Sequence, residues 1–248
     1  MGVPKVTVTF AEQVKKQLES AQRVVAFTGA GISEESGLAT FRGEGGLWNG
    51  HRVEDVATPQ AFKRDPKFVW DFYLERRKNV ANAKPNAAHE VIAQWEKKFL
   101  FAGVVTQNID GLHAAAGSTR IQELHGSIWK ARCLDCSNVQ RDQAATYEAI
   151  KSCERCGGAL RPHIVWFGEN LETEVMDTAL SWMREADLVF VVGASGVVEP
   201  AASLVRSAKR FGAFIVEVNM EETALTSAAD ISVFGKSSEV FSRLSKSF

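Results

Sequence analysis

Arg23-Val24-Val25-Ala26-Phe27-Thr28-Gly29-Ala30-Gly31-Ile32-Ser33 begins as an apolar run and ends among glycines and a serine. Apolarity that is continuous rather than alternating belongs to a strand covered on both faces, as in parallel sheets. Before it, Phe10, Val14 and Leu18 recur at four-residue spacing and predict an amphipathic helix over 10–21. After it, similar short runs predict strands at 100–106, 188–193, 214–219 and 231–235. A helix over 86–99 is expected, with Asn86 as N-cap and Val91, Ile92, Trp95 and Phe99 on one face. A second spans 173–185 with Val175, Ala179, Leu180 and Met183 inward, and a third starts at Glu199-Pro200 and ends near Gly212. This alternation implies a doubly wound α/β sheet.

Each strand runs into small or polar residues: Gly29-Ala30-Gly31-Ile32-Ser33, Thr106-Gln107-Asn108-Ile109-Asp110, Gly193-Ala194-Ser195-Gly196, Asn219-Met220-Glu221 and Gly235-Lys236-Ser237. Ligands of open parallel sheets lie beyond the carboxyl ends of the strands, where glycines admit a backbone close to phosphate. One such loop reads equally as a tight turn, because Glu34 stands where the dinucleotide fingerprint wants a third glycine. Five strand ends gathered on one edge predict a dinucleotide site.

All four cysteines fall in Cys133-x-x-Cys136 and Cys153-x-x-Cys156, separated by residues 137–152. Two such knuckles present four thiolates to one tetrahedral ion, the zinc-ribbon pattern. Two disulfides are the alternative, and they require an oxidising compartment. A four-cysteine shell leaves no open position for water or substrate, so the metal is expected to be structural. The polar stretch 137–142 and Gly157-Gly158 suggest a small lobe held by its metal rather than by apolar burial. Between Leu38 and Pro85 the pattern changes to a helical insertion rich in aromatics, including Trp48, Phe62, Phe68, Trp70, Phe72 and Tyr73, which reads as part of a second lobe.

With 248 residues, 45% hydrophobic and 24% charged, the chain has the composition of an ordinary globular protein. Its 29 basic and 30 acidic residues give a net charge of -1, so no global field recruits nucleic acid or acidic membranes. The longest apolar stretch, 188–198, is broken by Gly193, Ser195 and Gly196 and falls short of the roughly 20 residues a membrane span needs. No secretory or lipidation pattern is visible at the start, and a cytoplasmic location is expected.

Gly29-Ala30-Gly31-Ile32-Ser33, Glu35-Ser36-Gly37, Thr40-Phe41-Arg42-Gly43, Thr106-Gln107-Asn108-Ile109-Asp110 and Leu124-His125-Gly126, followed by two CxxC pairs, resemble the sirtuins, NAD-dependent protein-lysine deacylases. Arg161 to Glu169 and Gly193-Ala194-Ser195-Gly196 extend the likeness. The resemblance implies a Rossmann-like large domain, 1–37, 86–126 and 164–248, and a small domain made of the helical insertion 38–85 and the zinc ribbon 127–163. It implies that His125 is the general base for a ribose hydroxyl, a task suited to imidazole. Asn108 and Asp110 look like the pair that orients ribose and the nicotinamide carboxamide; an Asx turn capping the next helix is compatible with both roles. Gly29, Ala30, Gly31, Ser33, Gln107, Ile109, Gly193, Ala194, Ser195, Asn219, Glu221 and Ser237 would complete the NAD shell, with Phe41 and Arg42 covering the nicotinamide ribose and phosphates. The implied products are nicotinamide, O-acyl-ADP-ribose and free lysine. An acylated peptide would lie as an extended strand between Phe167-Gly168-Glu169 and Gly196-Val197-Val198-Glu199.

Tyr73 and Arg76, at i and i+3, resemble the Tyr-x-x-Arg pair of class III sirtuins, which prefer succinyl, malonyl or glutaryl lysine. A guanidinium and a phenol pair with a distal carboxylate that acetyl does not offer. Three positions depart from the family: Ala39 where proline is frequent, Ala194 where threonine is common, and Glu199 where tyrosine often stands. Ala194 is expected to remove a hydroxyl contact to phosphate, and Glu199 to put negative charge beside the peptide channel, favouring basic flanks. Alternative readings are a general deacetylase without acidic-acyl preference, a non-catalytic NAD sensor, a mono-ADP-ribosyl transferase and a zinc-ribbon nucleic-acid binder.

Overall fold

The computed structural model describes residues 8–39, 47–48, 51–144, 146 and 151–245, with the backbone alone at 8–11 and 47–48. Phe41 and Arg42 lie outside the described residues. In chain order the first elements are α1 (Val8–Ser20), β1 (Arg23–Thr28) and α2 (Gly31–Glu34). There follow β2 (Leu47–Trp48), β3 (His51–Arg52), α3 (Val53–Val56), α4 (Pro59–Arg64), α5 (Pro66–Asn82) and α6 (Ala87–Trp95). Next come β4 (Phe101–Thr106), α7 (Leu112–Ala115), β5 (Ile121–Glu123), β6 (Gly126–Cys133), β7 (Val139–Arg141) and β8 (Leu160–Ile164). The chain closes with α8 (Thr173–Glu185), β9 (Leu188–Val192), α9 (Ala201–Arg210), β10 (Phe214–Asn219), β11 (Ile231–Phe234) and α10 (Ser237–Ser245).

Six strands form one parallel sheet in the order β11-β10-β9-β1-β4-β5. The reason for the continuous apolar runs is visible in which residues share a core. Val24, Ala26, Phe190, Val216 and Val218 pack on one face with α1, α6 and α10. Their neighbours Val25, Phe27, Val189, Val191 and Ile215 pack on the other with α8 and α9. Every residue of β9 is buried, and each large aliphatic so covered contributes about 1.5–3 kcal/mol. The strand predicted at 214–219 and the helix at 173–185 are matched residue for residue.

Elsewhere boundaries move. Asn86 caps α6, accepting the Ala88 N–H at 3.0 Å while His89 Nδ1 accepts the Asn86 N–H at 3.3 Å, but the helix ends at Trp95 and 96–99 turns. Pro200 sits at the N-cap of α9, just outside its first turn. The edge strand β5 has no sequence prediction behind it, because it is three half-buried residues, two of them polar.

A third core joins α3, α4 and α5 to the antiparallel sheet β7-β6-β8, through Val56, Phe62, Val69, Trp70, Phe72, Tyr73, Ile128, Ala131 and Leu160. This corrects the expectation that the cysteine lobe relies on metal in place of apolar burial: one face of β6 and β8 is apolar and is covered by α5. The seam also holds a fully buried ion pair, Arg77 Nη1 to Asp142 Oδ2 at 2.8 Å, with Arg77 donating to the Ile128 and Ala144 carbonyls. Removing one partner of such a pair costs about 3–5 kcal/mol, because the other charge stays buried. Among the described residues no helix is long and apolar enough to cross a membrane.

Candidate active site

The parallel register brings the ends of β1, β4 and β9 to one edge of the sheet. Gly29 N donates to Val192 O at 3.0 Å and Gly31 N to Gly193 O at 2.9 Å, so the loops after β1 and β9 are joined backbone to backbone. A Cβ on Gly193 would lie 2.3 Å from Ile32 N, and its φ of +59° is the left-handed region where glycine is favoured. These glycines are therefore required by loop-to-loop contact as well as by any ligand. Ala194 is buried and packs in the core beneath the loop.

Beyond β4, the chain builds a hydrogen-bonded cluster. Ser33 Oγ donates to Asp110 Oδ2 at 2.7 Å, and Leu112 N donates to Asp110 Oδ1 at 2.8 Å, an Asx turn that starts α7. Asn108 Nδ2 donates to Gly29 O at 3.1 Å and Ser33 Oγ at 3.2 Å, while its backbone N–H donates to Thr106 Oγ1. Burial pushes the Asp110 carboxyl above its ordinary range, opposed by the Leu112 N–H and the Ser33 hydroxyl. Under this cluster lie Thr28, Thr106, His89 and His113, with His113 Nε2 at 2.9 Å from Thr28 Oγ1. Burial holds His89 down at about 4 and His113 well below the ordinary histidine value. None of these four has a role assigned from sequence.

His125 follows β5, with Nδ1 at 2.9 Å from the carbonyl oxygen of Gln107. A carbonyl only accepts, so Nδ1 carries the proton and Nε2 is a proton acceptor. Burial lowers the ring's pKa, and the Gln107 carbonyl opposes that shift.

Tyr73 and Arg76 lie on α5. Tyr73 is fully buried and its hydroxyl accepts a hydrogen bond from Trp166 Nε1 at 2.9 Å; burial drives its pKa up. Arg76 is half-buried, with a pKa pulled down by desolvation and pushed back up by Tyr73 and Asp110. Its side chain helps line a cavity of about 220 Å3 with Gly37, Leu38, Ala39, Asn79 and Val80. The arginine therefore stands between that cavity and the Asp110 cluster.

The loops expected to bind peptide divide their residues between two tasks. Phe167 and Val197 are exposed apolar side chains. Glu169 instead braces its own loop, pairing with Arg161 at 2.5 and 2.8 Å and accepting the Trp166 N–H. Glu199 pairs with Arg206 and accepts the Ser203 N–H in the first turn of α9. Both partners of that pair are largely exposed, so Glu199 keeps a solvent-facing carboxylate beside Arg206. Of the nucleotide-shell residues, Ser195 lends its carbonyl to Ala224 N and Ser237 Oγ donates to Glu35. Glu221 is exposed beyond β10. Glu35 receives three donors from Ser237 and Ser238 and ties α10 to the segment after α2.

The four cysteine sulfurs lie within 4.8 Å of one another, with close pairs at 3.4, 3.5 and 3.7 Å. A zinc–sulfur distance of about 2.3 Å places tetrahedral sulfurs roughly 3.8 Å apart. Backbone N–H groups of Asp135 and Arg155 point at the sulfurs of Cys133 and Cys153 at 3.4 Å, as suits thiolates. No disulfide joins them. The donor set fits one structural Zn2+.

A profile of the Sir2 family matches residues 29–200. The chain is 48% identical over 227 residues to NAD-dependent protein deacylase 2 of Pyrobaculum aerophilum, covering 92% of this chain and 91% of that one. It is 49% identical over 209 residues to the NAD-dependent protein deacylase of Aquifex aeolicus, covering 84% and 87%. Among solved structures, a Sir2 homologue in complex with NAD matches with a TM-score of 0.89 at 44% identity, over 95% of this chain and 92% of the other. A Sir2 complex with a p53 peptide and NAD+ matches with a TM-score of 0.82 at 32% identity, over 95% and 97%.

Proposed function

This chain belongs to the Sir2 family of NAD-dependent protein deacylases, and from that premise we propose that it removes acidic acyl groups, succinyl and malonyl, from lysine while retaining deacetylation. NAD, consumed as co-substrate, supplies the ADP-ribose that receives the acyl group, so that nicotinamide, O-acyl-ADP-ribose and free lysine leave. Asn108 and Asp110 orient the nicotinamide ribose and carboxamide, and negative charge at the buried Asp110 favours the positive centre that develops on the ribose carbon. His125 Nε2 takes the proton of the attacking ribose hydroxyl. The observation that carries this assignment is the Gln107 carbonyl, which forces the acceptor tautomer on His125.

For the acyl group, the support is Arg76 on the helical face of Tyr73, desolvated, in the field of Asp110 and lining a cavity. Buried from water, a guanidinium gains most from a bidentate carboxylate partner. Phe167 and Val197 offer the exposed edges between which an extended acyl-lysine peptide would lie. We assign residues 1–37, 86–126 and 164–248 to the NAD-binding lobe and 38–85 with 127–163 to the small lobe; the third core supports the small lobe and reaches across this boundary to Ile164 and Trp166. A four-thiolate site needs reduced cysteines, which favours the cytoplasm.

The test is kcat/KM with matched succinyl-lysine and acetyl-lysine peptides, following nicotinamide release by mass spectrometry. Higher efficiency on succinyl supports the acidic-acyl reading. Preference for acetyl leaves a general deacetylase, and turnover of neither rejects the enzymatic assignment.

A further inference from the structure

Glu217 is a lone carboxylate in the apolar strand β10, fully buried. Four donors converge on it: Asn219 Nδ2 at 3.2 Å and Thr223 Oγ1 at 2.6 Å on Oε1, and Thr226 Oγ1 at 2.8 Å and Ser232 Oγ at 2.9 Å on Oε2. No cation faces it among these contacts; hydroxyls and one amide satisfy it, so that removing the acceptor leaves several donors stranded in the interior. Three of the donors come from beyond the strand's end, and Thr223 and Thr226 bond one another's segment through Thr223 N to Thr226 Oγ1 at 2.8 Å. Between them Leu225 lies against Gly196, where a Cβ would come within 2.6 Å of it. The carboxylate thereby holds the loop after β10 against the loop after β9.

The consequence for Asn219 is chemical. Its amide nitrogen donates to Glu217 Oε1 and to Ala194 O at 3.1 Å, two groups that only accept. Both N–H bonds are therefore committed to the protein, the amide is unable to flip, and Oδ1, an acceptor, is what the side chain presents at the ligand edge.

Strand order says which part of a dinucleotide meets that acceptor. His125, Asn108 and Asp110 stand at the ends of β4 and β5 and take the nicotinamide side, the joined glycine loops follow β1 and β9, and β10 lies beyond them. A dinucleotide laid along this edge puts its adenosine ribose at Asn219. We propose that Glu217 is a positioning residue that fixes Asn219 as an acceptor for the adenosine ribose hydroxyls and so selects NAD over its 2′-phosphorylated form. A hydroxyl donates to Oδ1, whereas a phosphate oxygen has no proton to give and is repelled. This inference rests on the NAD-dependent reading of the same edge.

The test compares wild type, Glu217→Gln and Ser232→Ala with NAD and NADP as alternative co-substrates, each variant first checked for wild-type circular dichroism. The Glu217→Gln change brings a donor toward the Asn219 amide and lets that amide turn its nitrogen outward. KM for NAD should rise about tenfold with kcat within about threefold, and the NAD-to-NADP ratio of kcat/KM should fall by about tenfold or more. Ser232→Ala loosens the same hub on the oxygen remote from Asn219 and should leave the ratio unchanged. Should Glu217→Gln fail to fold, Asn219→Leu carries the test: the acceptor is removed, and the NAD-to-NADP ratio of kcat/KM should fall about tenfold. An unchanged ratio in Glu217→Gln, an equal shift in Ser232→Ala, or an unchanged ratio in Asn219→Leu overturns the proposal. A wild type that turns over NAD in those cases keeps the deacylase reading standing; a wild type inert toward NAD overturns both.

Discussion

His125 donates its Nδ1 proton to the carbonyl oxygen of Gln107, 2.9 Å away, at the end of the neighbouring strand β4. The bond orients the ring and assigns its tautomer in one stroke. Burial keeps the ring's pKa below the ordinary 6.5, so Nε2 is unprotonated through neutral pH. Activity should accordingly be flat at and above neutrality and fall on the acid side, with its midpoint below 6.5. A pH profile of kcat/KM with a rising limb centred above about 7 would contradict this tautomer and role. His125→Ala should reduce turnover by about 10² to 10⁴-fold while NAD binding survives.

Arg76→Met keeps an aliphatic stem of similar length and removes the charge. With succinyl-lysine and acetyl-lysine peptides compared side by side, the succinyl preference should shrink by about ten- to hundredfold, the worth of hydrogen bonds to a charged partner. Deacetylation should change far less. Equal loss on both peptides would mark Arg76 as support for Asp110 rather than a reader of the acyl group.

Metal content is checked by native mass spectrometry, which should find one zinc per chain. Cys153→Ser replaces a buried thiolate with a weaker ligand; it should lower the metal occupancy and the melting temperature together. An unaltered melting temperature after complete zinc removal would mean that the apolar seam with α5 suffices by itself.

His89 and His113 predict acid sensitivity of the fold. The folded state holds His89 at about 4 against an ordinary 6.5, because burial penalises the charged ring. Between those values the unfolded chain binds a proton that the folded chain refuses, so stability falls with falling pH by about 1.4 kcal/mol per unit, reaching roughly 3 kcal/mol near pH 4. Above the ordinary 6.5 this loss vanishes. Urea denaturation at about pH 7 and about pH 5 should differ in this direction, and His89→Gln should narrow the gap.

What sequence reveals here follows from how local each signal is. The strands at 188–192 and 214–219 are legible because parallel pairing buries both faces and removes polar alternation. Zinc is legible because its ligands sit in two short knuckles. The strand at 121–123 is not, being a half-buried edge with Gln122 and Glu123 in it. His125 is placed by resemblance, but the partner that assigns its proton is a backbone carbonyl 18 positions earlier, which no side-chain pattern records. Glu217 leaves one faint trace, a charge inside an apolar run; its role depends on Thr223, Thr226 and Ser232 folding back over it. Glu169 and Glu199 show the same limit. Their charges stand out in sequence, but the pairing of each with Arg161 and Arg206 depends on loops folding back and leaves no local pattern.

The third core is also a timetable for biosynthesis. Trp70 Nε1 donates to the carbonyl of Leu160, ninety positions downstream. At about 5–20 residues per second, a ribosome needs roughly 5–20 seconds to deliver that acceptor after the tryptophan is made. Through this interval the apolar side of α5 has been synthesised and the sheet that covers it has not. The central strand β1 waits longer still for β9. A nascent chain of this design carries two uncovered apolar surfaces while it is being made, and through that interval aggregation competes with folding.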